Sequence, residues 1–246
     1  MNTITDNEIY VYGSNKLGIN GSGTALFAKR FFDAKDGIGE GLNGRAYALP
    51  TKLTPDNTMS YDELKIHINI FKEFAESHMD LSFILARPGV GRAGFTIDQI
   101  LPLVSDLPIN VQLPGIWLNM LDKKTERIIV AGSRMFRNKA FIYNKLNLLT
   151  CRIPDRENRL EVVSGLAHGP DQIGLEWAIE NNICYRTFPA DWDRFGKQAG
   201  YMRNEMMGLY STRAIIFWDE KSSGTKNMID ICDREKINKR IIRIKT

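Results

Sequence analysis

The sequence predicts an α/β protein with two domains, each built on a largely parallel β-sheet. Short β-branched and aromatic segments alternate with segments of helical periodicity, and several of these strands run directly into glycine-rich turns. The pattern starts again near residue 127. The length of 246 residues suits two domains of about 100–150 residues each.

The first half begins with a strand, EIYVY, which leads into the loop GSNKLGINGSG and then into the helical segment TALFAKRFF. A second glycine cluster, GIGEGLNG, precedes the strand RAYALP. Residues 61–78 predict an amphipathic helix with Ser60 as its N-cap, followed by the strand LSFILA. The glycine loop RPGVGRAGF then precedes a helix that begins near Thr96, and NVQLPGIW is expected to close the domain as a strand.

Polar residues at 119–126, NMLDKKTE, indicate a linker, so we expect domains at 1–120 and 127–246. In the second domain, four segments predict strands that end in turns: RIIVAGSRMF, EVVSGLAHGPD, CYRTFPADW and AIIFWDEKSSGT. Helices are expected between them, around 141–149, 172–181 and 200–210. Strands that alternate with helices predict a Rossmann-like, doubly wound parallel sheet with right-handed crossovers.

The composition, with 43% hydrophobic and 25% charged residues, is that of an ordinary globular protein. No stretch approaches the roughly 18 apolar residues of a membrane span, and the N-terminus shows no leader pattern, so a cytoplasmic protein is expected. The net charge of +4 lacks the concentrated basic stripe typical of nucleic-acid binding. Cys151, Cys184 and Cys232 form no CxxC pair, which favours buried reduced thiols over a disulfide or a metal site.

Four loops of the second half follow strands and are expected to meet at one edge of the sheet, where ligands of such sheets bind. Their glycines permit close approach of the backbone, their hydroxyls can donate to phosphate or ribose, and their arginines suit phosphate. The candidate ligand-binding residues are Gly132, Ser133, Arg134, Ser164, Gly165, His168, Asp171, Trp192, Arg203, Gly224 and Thr225. Asp171 either accepts from a ribose hydroxyl or caps a helix, and Trp192 either stacks on a base or packs internally.

The strings VAGSR, VSGLAHGPDQIGLEWA, FPADWDRFGKQAGYMRNEMM and GTKNMI, in this order, resemble the YspA-type branch of the SLOG superfamily over about 127–246. The resemblance implies a domain that binds nucleotides or nucleotide-derived signals, related to the Lonely Guy phosphoribohydrolases and to DprA. Those hydrolases use a helical arginine, which Arg203 resembles, and a glutamate of a GTxxE turn, where this chain has Met228. Glu205 and Asp230 are the candidate substitutes for that glutamate.

The strings YGSNKLGINGSGTALFAKRFF and ARPGVGRAGF resemble a shortened, phage-type macro domain over about 8–118, which implies a three-layer α/β/α fold and an ADP-ribose site. By this resemblance Asn15 contacts ribose. The implied phosphate loops and the aromatic contact comprise Gly21, Ser22, Gly23, Gly89, Val90, Gly91, Gly94 and Phe95. Consecutive amides in glycine loops independently favour an anion. GIGEGLNGR, with Glu40 and Arg45, is either a specificity element or a surface hairpin.

We therefore expect a binding module that senses or sequesters a nucleotide-derived small molecule: ADP-ribose, another NAD-derived molecule or a cyclic nucleotide. Both families recur in phages and in NAD-linked immunity, which implies a phage counter-defence role in the host cytoplasm. The alternative is a hydrolase of an ADP-ribosyl or N-glycosidic linkage, in which Arg203 holds phosphate and Glu205 polarises the ribose.

Other partners follow from the same patterns. Binding of single-stranded DNA, known in some SLOG relatives, is not expected, and neither is a membrane, a metal or a cofactor. A homo-oligomer is left open. His67 and His78 are expected on the surface and at the end of the helix 61–78. Three tryptophans are assigned to cores: Trp117, Trp177 and Trp218.

Overall fold

The computed structural model describes residues 7–121 and 125–245, which divide into two compact units. The first unit ends at Pro114 and the second begins at Gly115. This division precedes the expected linker because Gly115–Leu121 forms a helix, α4, within the second unit. Gly115 approaches the backbone carbonyl of Tyr210 so closely that any Cβ would clash with it. Residues 122–124 of the expected linker lie outside the described residues.

The first unit is a mixed five-stranded sheet flanked by helices. Its strands are β1 (Glu8–Asn15), β2 (Gly41–Asn43), β3 (Ala46–Lys52), β4 (Ser82–Leu85) and β5 (Val111–Gln112), in the order β2-β3-β1-β4-β5. Its helices are α1 (Gly23–Phe31), α2 (Tyr61–Ser77) and α3 (Ile97–Val104). Only β2 runs antiparallel to its neighbour. The chain passes from β1 to β3 through α1, then in the opposite direction from β3 to β4 through α2 and on to β5 through α3. Right-handed crossovers therefore place α1 on one face and α2 with α3 on the other.

Local signals fix the helices of this unit. Ser60 and Glu63 form a complete capping box at the start of α2, and Thr96 with Gln99 forms another at the start of α3. The core between α2 and the sheet is aromatic, with Tyr47 packed against Phe71. Both predicted helix starts are therefore confirmed.

Two expectations for the first unit are wrong. NVQLPGIW contributes only the two-residue strand β5, because Pro114 and the helix start at Gly115 interrupt it. His67 is buried rather than on the surface, because α2 turns it towards Glu40, and its Nδ1 lies 2.7 Å from Glu40 Oε1. The apolar periodicity of α2 could not predict this burial, because the partner Glu40 lies on another segment of the chain.

The second unit is a fully parallel, doubly wound sheet, as predicted. Its strands are β6 (Glu126–Gly132), β7 (Leu160–Ser164), β8 (Cys184–Thr187), β9 (Arg213–Trp218) and β10 (Asn238–Arg243), in the order β10-β9-β6-β7-β8. After α4 its helices are α5 (Lys139–Thr150), α6 (Arg156–Arg159), α7 (Pro170–Glu180), α8 (Trp192–Phe195), α9 (Ala199–Tyr210) and α10 (Ser223–Arg234). A 3-10 turn, Gly196–Gln198, joins α8 to α9.

Two apolar cores cover the two faces of this sheet. Trp177 of α7 lies in one with Ile128 and Val130, and Met207 of α9 and Met228 of α10 lie in the other. The chain leaves β6 towards β7 and later returns to pair β9 with the other side of β6. The direction of winding therefore reverses between β6 and β9, and ligands of doubly wound sheets usually bind at the carboxyl ends of the strands at such a point.

Other sequence expectations meet mixed outcomes. Trp117 and Trp177 are buried and Trp218 is partly buried against a core, in line with their core assignment. Cys232 is buried, but Cys151 and Cys184 are exposed, so the expectation of three buried thiols is wrong. Both exposed cysteines sit at the margins of the unit, at the end of α5 and on the edge strand β8. In the part of the chain that the structure describes, no helix has the length and hydropathy to cross a membrane.

Candidate functional site

The carboxyl ends of β6 and β7 in the second unit are joined by one buried carboxylate. Asp171, in the first turn of α7, accepts a hydrogen bond from the backbone amide of Gly132 at 3.2 Å. Its own carbonyl accepts from the Ser164 hydroxyl at 2.8 Å. Two predicted ligand residues, Gly132 and Ser164, are thus held together by a third.

Asp171 is almost completely buried, and its ionisation reflects this. Burial raises the pKa of Asp171 to about 6, although Arg203 and the amides of Gly132 and Ala167 oppose the shift. Of the two sequence interpretations, the helix cap does not describe the observed arrangement, because Gly169 is the N-cap of α7. The contact with ribose stays a prediction. The carboxylate instead connects the loop after β6 to the loop after β7.

Arg203 of α9 is the cationic partner of this carboxylate. Its side chain is 8% exposed, and its Nη1 lies 3.8 Å from Asp171 Oδ1 and donates to the carbonyl of Gly165. Any Cβ at Gly165 would clash with that guanidinium. Burial lowers the pKa of Arg203, and the nearby Arg134 lowers it further. Its Nε is buried and has no hydrogen-bond partner among the described residues.

A network of hydrogen bonds connects the loops that follow β6 and β9. The Ser133 hydroxyl accepts from the amide of Asp219 at 3.1 Å, and Asp219 Oδ1 accepts from the amides of Lys221 and Ser222. Burial raises the pKa of Asp219, but these hydrogen bonds outweigh it and lower the pKa overall. Ser222 caps α10, and Thr225 donates to its hydroxyl at 3.0 Å.

The remaining candidates of the second unit differ in exposure. Arg134, His168 and Trp192 are exposed, and a Cβ at Gly224 would meet nothing within 4 Å. Trp192 is half-exposed, and its ring edge would touch a Cβ at Gly200 at 3.2 Å, so it combines packing with an open face. The loops therefore carry an exposed arginine, Arg134, and open backbone at Gly224, whereas the Asp171–Arg203 ion pair is buried.

The structure does not bring the two candidate catalytic residues together. Residues 203 and 205 point to different sides of α9, since two positions along a helix turn the side chain by about 200°. Glu205 forms a bidentate ion pair with Arg234 of α10. Asp230 pairs with Lys226, and Met228 is buried in the core. Among residues 7–121 and 125–245, Asp171 is thus the carboxylate paired with Arg203, and neither Glu205 nor Asp230 takes the place of the missing glutamate.

In the first unit, the two predicted phosphate loops follow β1 and β4. Asn15 binds the backbone of Ile19 through both side-chain atoms, donating to its carbonyl at 2.9 Å and accepting from its amide at 3.2 Å. The residue expected to contact ribose is therefore engaged in shaping its own loop. Arg92 of the second loop donates to the Ser22 hydroxyl at 2.6 Å, so the two loops are in direct contact.

Several glycines of these loops border open space. A Cβ at Gly21, Gly23, Gly91 or Gly94 would meet nothing within 4 Å. Gly89 instead serves packing, because a Cβ there would lie 2.8 Å from Ile100, and its carbonyl accepts from the amide of Phe95. Val90 forms an isolated bridge with Phe95 and so closes the base of the second loop.

The second glycine cluster, residues 37–45, contacts the first loop through its backbone. The Ser14 hydroxyl donates to the carbonyl of Gly39 at 2.5 Å, and any Cβ at Gly18 would clash with the backbone of Ile38. Glu40 is tied to His67 and Arg45 donates to the carbonyl of Phe31. The cluster is therefore a largely exposed hairpin, formed by β2 and β3, whose backbone contacts the first loop. Its role as a specificity element stays a prediction.

Sequence reasoning missed Asp219 and Arg92. Asp219 directly follows β9 and was available as an acidic residue at a strand end. Arg92 lies between glycines of the second loop, and its partner Ser22 is 70 residues away in sequence, so no local pattern indicated the contact. No group of three or more potential metal ligands occurs within residues 7–121 and 125–245.

The topology defines an α/β protein whose second unit is a doubly wound parallel sheet. Residues 126–195 match the model of the YspA, cpYpsA-related SLOG family. The Gene 61 protein of Mycobacterium phage D29 is 31% identical over 115 residues, which cover 44% of this chain and 86% of the phage protein. The chain therefore belongs to the family of this phage protein, and residues 126–195 carry a YspA-related SLOG domain.

One solved structure is also similar. The X-ray structure of DNA processing protein A from Streptococcus pneumoniae has a TM-score of 0.39 and 19% sequence identity, over 52% of this chain. The similarity covers 53% of that protein, so this chain spans about half its length. The macro-like resemblance of the first unit stays a prediction.

Proposed function

We propose that the protein binds a nucleotide-derived small molecule at the carboxyl edge of the second unit's sheet, and that it senses or sequesters this molecule. The observation that carries the proposal is the buried Asp171–Arg203 pair at the ends of β6 and β7. A buried ion pair at a loop junction costs desolvation energy and is weak support for a stability role. It is well suited to hold ligand-binding loops in one geometry.

In this proposal Arg203 shapes the site and Arg134 contacts the ligand. The guanidinium of Arg203 is occupied by Gly165 and Asp171 and is largely shielded from solvent. Arg134 is exposed on the loop after β6 and close enough to lower the pKa of Arg203. A phosphate that binds Arg134 would also relieve the repulsion between these two arginines.

The phosphate position that we favour lies between Arg134 and the start of α10. Helix N-termini attract anions, and Gly224 leaves the backbone there open. Thr225 is nine-tenths buried and Ser222 is engaged in capping, so the open backbone and Arg134 supply the contacts. His168 and Trp192 are exposed on adjacent loops and are the candidates for contacts with ribose and base.

For the first unit we propose an ADP-ribose-like ligand held between the loops after β1 and β4. The proposal rests on the macro-like sequence pattern and on the open backbone at Gly21, Gly23, Gly91 and Gly94. A phage counter-defence role in the host cytoplasm is the biological setting that the phage relative supports.

Binding is favoured over hydrolysis because the general acid–base set is incomplete. Glu205 is paired with Arg234 away from Arg203, and Asp171 is enclosed by backbone amides and Arg203. A hydrolase needs a carboxylate or water within hydrogen-bond reach of the reacting bond. Hydrolysis of an N-glycosidic or ADP-ribosyl bond is therefore the second candidate and an outcome of the experiment below.

The experiment combines a thermal-shift panel with HPLC of each nucleotide after incubation with the full chain. ADP-ribose, NAD, cyclic ADP-ribose and cyclic dinucleotides are the probes, and a single-stranded oligonucleotide is included. We expect stabilisation by one of the small molecules, which is recovered intact. Conversion of a probe would replace the binding proposal with the hydrolase. A salt-dependent complex with the oligonucleotide and none with the small molecules would replace it with nucleic-acid binding.

A further inference from the structure

Leu166 has a backbone conformation that leucine seldom adopts. It follows Gly165 in the loop after β7 of the second unit, and its φ is +58°. L side chains crowd the backbone in this left-handed region, which glycine enters freely. Among residues 7–121 and 125–245, the other non-glycine residues with positive φ are all polar or charged: Asp33, Arg87, Asp155, Asn182, Glu220 and Lys236. Leu166 is therefore the apolar exception.

The surrounding contacts impose this turn. The Gly165 carbonyl accepts from Arg203, and any Cβ at Gly165 would clash with that guanidinium, so the chain lies against α9 here. The Ser164 hydroxyl accepts from the Leu166 amide at 3.3 Å and donates to the Asp171 carbonyl at 2.8 Å. The contacts that build the buried ion pair thus hold Leu166 in its strained conformation.

Packing within the unit does not account for a leucine at this position. The Leu166 side chain is 45% exposed and is not part of either apolar core, so its burial repays little of the conformational cost. A glycine would remove the strain at little loss of packing. Strained residues that the surrounding structure holds in place cluster at ligand sites, which makes Leu166 a candidate for ligand contact.

The geometry of α9 places a second half-exposed apolar side chain beside this loop. Gly200 and Arg203 are three positions apart on α9 and are therefore neighbours on one helix face. The ring of Trp192, which is 50% exposed, lies over Gly200, where an added Cβ would meet it at 3.2 Å. Gly165, which precedes Leu166, lies over Arg203. The loops after the neighbouring strands β7 and β8 thus bring Leu166 and Trp192 to the same face of α9.

We propose that Leu166 and Trp192 hold the flat aromatic ring of a nucleotide-derived ligand between them, and that Leu166 thereby selects ligands that carry such a ring. The indole supplies a stacking face, and the leucine supplies an apolar contact to the opposite face of the ring. Binding covers the leucine side chain and so supplies the burial that the free protein lacks. The inference rests on the proposed ligand site of the second unit, to which it adds Leu166 as a specificity-determining residue.

The test is isothermal titration of the full chain with AMP and with ribose 5-phosphate, which has the same sugar phosphate but no ring. Leu166→Gly should bind AMP about fivefold to tenfold more weakly, because an apolar contact is lost. Its affinity for ribose 5-phosphate should change by less than about twofold. Its melting temperature should equal or exceed that of the wild type, since glycine adopts a φ of +58° without strain. A fall in melting temperature with equal loss of both ligands would instead show a structural role.

Two further variants serve as controls. Lys236→Gly relieves the same kind of strain, at φ of +56°, in the exposed turn between α10 and β10 at the opposite edge of the sheet. It should keep both affinities. Trp192→Ala should share the selective loss of AMP affinity, because it removes the other side of the proposed ring contact.

Arg134→Ala separates failure of this inference from failure of the site. It should abolish binding of both probes, because it removes the proposed phosphate contact. If it does so while Leu166→Gly binds AMP like the wild type, or loses both probes equally, the Leu166 proposal is overturned and the site stands. The same holds if the wild type binds AMP no more tightly than ribose 5-phosphate. If the wild type binds neither probe, or Arg134→Ala binds them unchanged, the site and the Leu166 proposal fall together.

Discussion

The Asp171 carboxylate accepts a hydrogen bond from the Gly132 amide at 3.2 Å while its other oxygen lies 3.8 Å from Arg203 Nη1. One side chain thus connects the loop after β6, the start of α7 and the helix α9. These are the elements that carry most of the candidate ligand residues of the second unit. If the account is right, disturbing this connection should change ligand affinity as well as stability.

The ionisation of Asp171 should make stability depend on pH. Its pKa is raised from 3.8 to about 6, so the fold favours the protonated form. The stability that protonation supplies is complete below about pH 4 and is lost as the pH rises through about 6, a change of about 3 kcal/mol. Urea unfolding at a series of pH values measures the free energy of unfolding of the wild type and of Asp171→Asn. As the pH rises over that range, the wild type should lose about this much stability relative to Asp171→Asn. A difference that does not vary with pH would contradict the assignment.

Removal of Arg203 should be costly, because it leaves Asp171 buried without its cation. We expect Arg203→Ala to lower the free energy of unfolding by about 3–5 kcal/mol, the range for one partner of a buried pair. The double variant Arg203→Ala with Asp171→Asn should recover part of the loss, which denaturant unfolding would measure. Strictly additive losses would show that the two side chains are not coupled.

Two glycines provide a matched pair for the same region. Gly165→Ala must displace the Arg203 guanidinium, so it should destabilise the fold and weaken ligand binding. Gly224→Ala meets nothing within 4 Å and lies in α10, where alanine should add about 0.5–1 kcal/mol of stability. Thermal melts of both variants check this contrast. Equal changes in melting temperature would mean that the contact between Gly165 and Arg203 does not contribute to stability.

Glu205 distinguishes binding from hydrolysis. Because it pairs with Arg234 on a half-exposed surface, Glu205→Gln should cost no more than about 1 kcal/mol of stability. It should also leave ligand affinity unchanged, as titration calorimetry would show. A nucleotide-cleaving activity that disappears in Glu205→Gln would instead support the hydrolase alternative.

The sequence predicted the parallel, doubly wound sheet of the second unit and the meeting of its loops at one edge, because those features follow from local periodicity and from glycine turns. Asp171, Ser164 and Gly132 were expected at one edge, and the structure places both Ser164 and Gly132 within hydrogen-bond distance of Asp171. Their roles were less predictable. The sequence placed Arg203 and Asp171 in segments expected at the same edge of the sheet, but it did not show that the two side chains form a buried ion pair.

The other differences have both local and long-range causes. α10 and β10 were missed because Ser222–Gly224 predicts a turn, whereas the Ser222 cap starts a helix there. Glu205 and Arg203 belong to the same sequence motif, but they lie on different faces of α9 because they are two residues apart on a helix. Arg92 and Glu40 act on partners 70 and 27 residues away, so no local pattern points to them.

The most direct test of the central claim is native mass spectrometry of the purified full chain, followed by identification of small molecules released by heat. Arg134→Ala is compared with Arg137→Ala, which removes the same charge three residues further along an exposed loop. The account predicts that the wild type and Arg137→Ala retain a nucleotide-derived molecule, added or co-purified, and that Arg134→Ala loses it. Equal occupancy of all three proteins, or no occupancy with any nucleotide tested, would contradict a ligand site at the carboxyl edge of β6.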